Sequence, residues 1–227
     1  MLDGPRIAPQ SGTASALVVL LHGYGANGDD LIPLADEWRR QLPDAAFAAP
    51  NAPEQIPGNW GGLQWFGLSF RDPGEYWRGV EASAPLLDAF LDAELARFGL
   101  PPDRLALVGF SQGCMMALHV GPRRRTAPAG LVGLSGRLAG PEHLEREIKV
   151  RPPTLLAHGE DDELIPVDAL HAAREALSRA GVPVEWHVQP GLGHGIDDEV
   201  VRLAGAFLAA ALADGGGPGQ PQAGRSA

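Results

Sequence analysis

The apolar run Leu105-Ala106-Leu107-Val108 enters the pentapeptide Gly109-Phe110-Ser111-Gln112-Gly113 and leaves it as Cys114-Met115-Met116-Ala117-Leu118. Along the chain this reads as a buried strand, a sharp turn and a helix, with a serine at the apex. The two glycines leave room where a Cβ would strike the neighbouring strand or helix. A serine hydroxyl is a poor nucleophile until it is lifted into the open and given a base, and this turn does the lifting. Taken alone, the pentapeptide can also be read as a Gly-Ser turn closing a buried strand. The rest of the chain decides between the two.

A nucleophilic serine needs a histidine base, and that histidine needs a carboxylate to hold its tautomer and stabilise its cation. On a strand–turn–helix scaffold the chain order is serine, acid, histidine. Downstream, Thr154-Leu155-Leu156-Ala157 runs into His158-Gly159-Glu160-Asp161-Asp162-Glu163-Leu164-Ile165-Pro166, an apolar strand opening onto an acid-rich turn. Val184-Glu185-Trp186-His187-Val188 then alternates like a strand, followed by Pro190-Gly191-Leu192-Gly193-His194-Gly195. A histidine between glycines in a loop suits a mobile, exposed base. Upstream, Ala16 to Leu21 is an apolar run ending in His22-Gly23-Tyr24-Gly25. Main-chain N–H groups after such a strand, and at Gln112 after the serine, can receive the negative charge that develops on a reacting oxygen.

Periodicity supplies the frame. It predicts strands near 16–22, 45–49, 105–110, 130–135, 154–158 and 184–189. Helices are predicted near 28–41, 79–98, 111–121, 141–148, 167–180 and 197–213, with Val80, Ala84, Leu87, Leu91 and Leu95 as a buried stripe. Alternating βα units imply an α/β fold: a mostly parallel central sheet with helices on both faces. Ligands of such sheets bind at the carboxyl ends of the strands, where all the motifs above fall. Residues 1–15 read as a flexible lead-in, 16–213 as one domain, and 214–227 as a low-complexity, disordered tail.

These four motifs together resemble the carboxylesterase/phospholipase family of small α/β-hydrolases, which includes the acyl-protein thioesterases and related bacterial esterases. The similarity spans about residues 16 to 212, with the motifs in the expected order. It implies an α/β-hydrolase fold without a large cap domain. Carried over by position, it makes Ser111 the nucleophile, Asp162 the acid and His194 the base, with the amides of Tyr24 and Gln112 as the oxyanion hole. It implies cleavage of esters or thioesters of apolar acyl groups through an acyl-enzyme, without metal or cofactor. Two departures bear on the acid. The family turn reads His-Gly-Asp-x-Asp-Pro, whereas here Glu160 replaces the first Asp and Glu163 stands at the proline. Asp161 therefore competes with Asp162, which is favoured as the fourth residue after His158.

The connection from Asn51 to Arg78 is long and aromatic, with Trp60, Trp65, Phe66, Phe70, Tyr76 and Trp77 among prolines and glycines. Side chains of this kind either line an acyl groove or pin an irregular loop to the body. Trp60, Leu63, Trp65 and Phe66 are the candidate substrate-binding residues, the resemblance tipping Trp65 and Phe66 that way. Tyr76 and Trp77 read as structural.

Composition narrows the partners. A hydrophobic share of 44% over 227 residues suffices for one well-cored domain. A net charge of −10 argues against nucleic acid and against anionic membranes. Arg123-Arg124-Arg125 reads as a solvated loop. The apolar stretch from Ala206 to Ala213 is too short for stable membrane insertion. No signal peptide is evident, and a single cysteine fits the cytoplasm. Cys114 reads as a packing residue, and His22 and His158 as structural hydrogen-bonding groups. Partners are then small ester or thioester substrates, acyl chains and lysophospholipids among them, with monomer and homodimer both open. Two other functions share the scaffold: a serine peptidase, which usually brings a cap or propeller domain, and a non-catalytic binding module, which would need a broken triad.

Overall fold

The computed structural model describes residues 2–58, 61–69, 72 and 74–213. Trp60, Phe70 and the expected 214–227 tail lie outside the described residues. In chain order the elements are β1 (Arg6–Ile7), β2 (Ala16–Leu21), α1 (Gly28–Leu31), α2 (Leu34–Trp38), β3 (Ala45–Ala48), β4 (Glu54–Gln55), β5 (Leu63–Gln64) and α3 (Glu75–Phe98). They continue with β6 (Leu105–Phe110), α4 (Gln112–Val120), β7 (Gly130–Leu134), α5 (Pro141–Glu147), β8 (Thr154–Gly159), α6 (Asp168–Arg179), β9 (Val184–Gln189) and α7 (Asp198–Ala213).

One sheet of order β1-β3-β2-β6-β7-β8-β9 organises the chain, with every neighbouring pair parallel except β1 on β3. The interior strands β2, β3, β6, β7 and β8 are near-continuous apolar runs because both their faces are covered. Successive side chains point to opposite faces. Val18, Leu20, Phe47 and Val108 meet Trp38 of α2 and Phe207 and Leu208 of α7 on one side. Leu17, Val19, Leu21 and Leu107 meet α3 and Met115 and Met116 of α4 on the other. Leu118 and Leu156 pack with Leu144 of α5 and Leu170 and Leu177 of α6. Each fully buried leucine contributes about 1.5–3 kcal/mol, so these layers fix the strand ends that carry the site. The fold is an α/β-hydrolase sheet with no large cap among the described residues, as the resemblance implies.

Local chemistry accounts for the departures. The helix expected over 28–41 is divided at Pro33, which has no N–H to donate. The third helix begins at Glu75 rather than 79, so Tyr76 and Trp77 belong to its first turn. The lead-in is not free: Arg6 and Ile7 pair antiparallel with Ala48 and Phe47. Arg6 also forks onto buried Glu94 of α3 with two 2.8 Å bonds, and a buried carboxylate needs such a partner.

The arginine cluster is corrected more sharply. Arg124 is 8% exposed and reaches Asp88 and Asp92 of α3 at 2.6 Å each. Arg123 bonds Glu147 and the His119 carbonyl and lies over the Trp77 ring. Two of the three arginines thus clamp α3 and α5 to the end of α4, and only Arg125 is exposed. His119 lies on α4 but is buried, and that burial, with Arg123 close by, pushes its pKa down to about 3.

Candidate active site

The turn after β6 holds Ser111 at φ 55°, a conformation a non-glycine residue adopts only when the surroundings enforce it. Three contacts do so. The Ser111 amide donates to Leu134 O at 2.9 Å. A Cβ at Gly113 would strike the Leu21 carbonyl, and one at Gly109 would strike Gly113 itself. The two glycines of the pentapeptide are therefore fixed by β2 and α4, as their spacing implies.

His194 and Asp162 meet this serine. The His194 Nε2 lies 3.0 Å from Ser111 Oγ, and Nδ1 lies 2.8 Å from Asp162 Oδ2. The Asp162 side chain has no exposed surface, while His194 keeps a partly open face against the Phe110 ring. The other oxygen of Asp162 accepts from the amides of Leu164 and Ile165 at 3.0 and 2.9 Å. Burial alone would raise this carboxyl. The Ile165 amide, His194 and the Leu164 amide together outweigh it and hold Asp162 below the usual carboxylate range. Asp161 is exposed, and only its amide takes part, donating to Leu192 O at 2.9 Å. The geometry thus separates the two aspartates that the sequence left in competition.

Neighbouring groups lock this arrangement. His158 Nε2 faces the Ile165 carbonyl at 2.8 Å and Asp162 Oδ2 at 3.1 Å, so that nitrogen carries the proton. The Ser135 hydroxyl donates to Gly195 O, tying the end of β7 to the histidine loop. A Cβ at Gly159 would collide with the carbonyls of Leu192 and Gly193, so the acid turn and the histidine loop touch. His22 is buried and its pKa is lowered by that burial; its Nδ1–H donates to Gly23 O and its Nε2 accepts from Ala52. His22 and His158 both serve as hydrogen-bonding groups that hold the fold.

On the opposite side, Gly23 comes so close that a Cβ there would sit 3.1 Å from Ser111 Cβ. This puts the Gly23–Tyr24 segment beside the hydroxyl. Gln112 opens α4, where first-turn amides have no helical acceptor and the helix dipole is positive. The Gln112 side chain is buried and doubly used: Oε1 accepts from the Trp65 amide, and Nε2 donates to Phe66 O, both at 2.8 Å. Leu63 clamps the same loop, its carbonyl accepting from Gly25 and its amide donating to Ala26 O. Sequence reasoning missed the Gln112 clamp and the positive φ of Ser135, since neither leaves a mark in residue spacing.

The aromatic wall is corrected. Trp65 is 0% exposed and donates its indole N–H to His22 O at 2.9 Å. Phe66 is buried with its ring against Gly79 of α3. Side chains buried this deeply offer almost no surface to an open groove, so these two brace the loop that Gln112 and Leu63 hold. Of the four candidates, Leu63 is half-buried and Trp60 lies outside the described residues. Trp65→Ala is therefore expected to cost about 3–5 kcal/mol of stability. It should lower acetate and octanoate ester turnover in the same proportion. Selective loss of octanoate at an unchanged melting midpoint would restore a groove wall.

Two other groups are quiet. Burial pushes the Cys114 thiol up to about 12, which suits packing rather than thiolate chemistry. Among the described residues no cluster of His, Cys, Asp and Glu has the makings of a metal site, and no helix is long and apolar enough to cross a membrane.

The sequence and fold have parallels in known proteins. The profile of the phospholipase/carboxylesterase family matches residues 2–212. Acyl-protein thioesterase 1 of Schizosaccharomyces pombe is 35% identical over 161 residues, 67% of this chain and 70% of that protein. Its counterpart in Gibberella zeae is 27% identical over 90% of this chain and 94% of its own length. The crystal structure of esterase PE8 superposes with a TM-score of 0.90 at 43% identity, covering 93% of this chain and 99% of that one. A Bacillus cereus carboxylesterase, 19% identical, shares the fold with a TM-score of 0.77 over 93% of this chain and 95% of its own. With the family match spanning residues 2–212 and the fold shared along almost the whole described length, the chain belongs to the phospholipase/carboxylesterase family.

Proposed function

We propose that this protein hydrolyses carboxylic esters and thioesters of apolar acyl groups, with Ser111 as nucleophile, His194 as base and Asp162 as the acid that orients it. The observation that carries the reading is the unbroken line from Ser111 Oγ through His194 to buried Asp162, on a serine held at positive φ. Ser111 Oγ attacks the carbonyl carbon while His194 Nε2 takes its proton. Asp162 stabilises the imidazolium through Nδ1–H. The oxyanion is received by the amides of Tyr24 and Gln112, where the positive end of α4 adds to the field. Collapse of the intermediate returns the proton from His194 to the leaving alcohol or thiol, and the acyl group stays on Ser111. Water then attacks the acyl carbon while giving a proton to His194, and collapse of that second intermediate returns the proton from His194 to Ser111 Oγ as the carboxylic acid leaves.

The same reading covers lysophospholipids and acylated thiols, which share the scissile bond, and it favours the cytoplasm, where a lone thiol stays reduced. An intact triad disfavours the binding module, and similarity to acyl-protein thioesterases and an esterase supports ester and thioester bonds over peptide amides. The test is a chain-length series of p-nitrophenyl esters alongside an acyl thioester. Specificity constants are expected to climb over the short chains, each methylene contributing up to about 0.8 kcal/mol, and then to flatten. Turnover confined to peptide amides would reverse the assignment.

A further inference from the structure

A second feature sits at the same end of the sheet. Residues 135–139 follow β7, as Ser111 follows β6 and Asp162 and His194 follow β8 and β9. Gly136 is pressed onto the nucleophile turn: a Cβ there would meet Cys114 and come within 2.8 Å of Ser111 O. The next residue is Arg137. Its guanidinium lies over the Tyr76 ring at 4.6 Å and lines a cavity of about 300 Å³. The other walls include Trp77, Leu138 and Ala139, with Glu142 exposed at the rim.

Arg137 sits in this cavity without a counter-ion among the described residues. Arg6, Arg123 and Arg124 each face a carboxylate. Among the described residues Arg137 forms no ion pair, and its buried Nε has no hydrogen-bond acceptor. A buried donor left unsatisfied is costly, and a guanidinium carries five donors in a rigid fork suited to a carboxylate or phosphate. The Tyr76 face holds the cation in place without using those donors. In a chain of net charge −10, a partly buried, unneutralised cation one residue from the nucleophile contact is a specific arrangement rather than surface charge.

We infer that Arg137 is a specificity-determining residue that binds an anionic group, carboxylate or phosphate, carried by the substrate away from the scissile bond. The inference rests on the hydrolase reading above. The apolar and aromatic walls take the linking methylenes, and the fork takes the terminal anion. The preferred substrates are then esters or thioesters with a charged end.

The test compares p-nitrophenyl pentanoate with the p-nitrophenyl half-ester of glutaric acid, of equal chain length, in wild type, Arg137→Gln and Arg137→Lys. Loss of a charge-assisted pair should lower the glutarate-to-pentanoate ratio of kcat/KM about tenfold or more in Arg137→Gln, mainly through KM. Arg137→Lys, which keeps the charge but not the fork, should fall between. Competitive inhibition of pentanoate turnover by free glutarate and by inorganic phosphate distinguishes the two anions, the tighter one naming the group. A ratio unchanged in both variants of an active enzyme overturns the inference. Thermal protection of the folded proteins by glutarate reads the site without turnover. Protection of wild type that Arg137→Gln loses and Arg137→Lys keeps only in part, with neither ester hydrolysed, would uphold the anion site while sinking the hydrolase reading.

Discussion

Ser111→Ala is expected to fold as the wild type does and to lose about 10⁶-fold in kcat on a p-nitrophenyl ester, the scale seen when a triad serine is removed. The fold should hold because, among the described residues, the change removes one side-chain hydrogen bond, that between the hydroxyl and His194 Nε2. The positive φ is imposed by the Leu134 hydrogen bond and the two glycine contacts, which alanine leaves in place. Ester turnover and the melting midpoint, measured on one preparation, check both halves. Activity retained in a folded Ser111→Ala protein would remove the serine from the mechanism.

The second large effect concerns the acid. Asp162→Asn should cost about 10⁴-fold in kcat, because the histidine is left in the wrong tautomer. The surroundings explain why asparagine cannot substitute. The Leu164 and Ile165 amides both donate to Oδ1, so the asparagine oxygen is drawn to that position. Its NH₂ group then faces His194 Nδ1 and the protonated His158 Nε2, where the wild type presents an acceptor. Asp161→Asn changes an exposed side chain whose only role in the site is through its amide, and kcat should stay within a few-fold. Purified, folded variants ranked the other way would move the acid by one residue.

The legible parts of this chain are those governed by short-range rules. Apolar runs at 16–21, 105–110 and 154–159 announce buried parallel strands because both faces need covering. The glycines around Ser111 announce the turn because backbone atoms of Leu21 and Gly113 occupy the space a side chain would take. The choice between Asp161 and Asp162 is not local. It depends on which carboxylate is buried beneath a loop 32 residues further on. Arg124 reads as solvated until α3 brings Asp88 and Asp92 to it, and Arg6 reads as part of a free lead-in until Glu94 is found buried in the same helix. Trp65 shows the converse: an aromatic residue in an irregular segment suggests a ligand, yet an indole N–H bonded to His22 O and an amide bonded to Gln112 make it a brace. Long-range partners decide these cases, and spacing along the chain holds no record of them.

The central claim is that Ser111 Oγ is the atom that becomes acylated. The most direct measurement is reaction of the folded protein with a fluorophosphonate probe, followed by peptide mass mapping of the adduct. One equivalent of probe on Ser111, with ester turnover falling in step and no adduct in Ser111→Ala, is the predicted result. An adduct on another serine that tracks the loss of activity, or full activity in the modified protein, would contradict it.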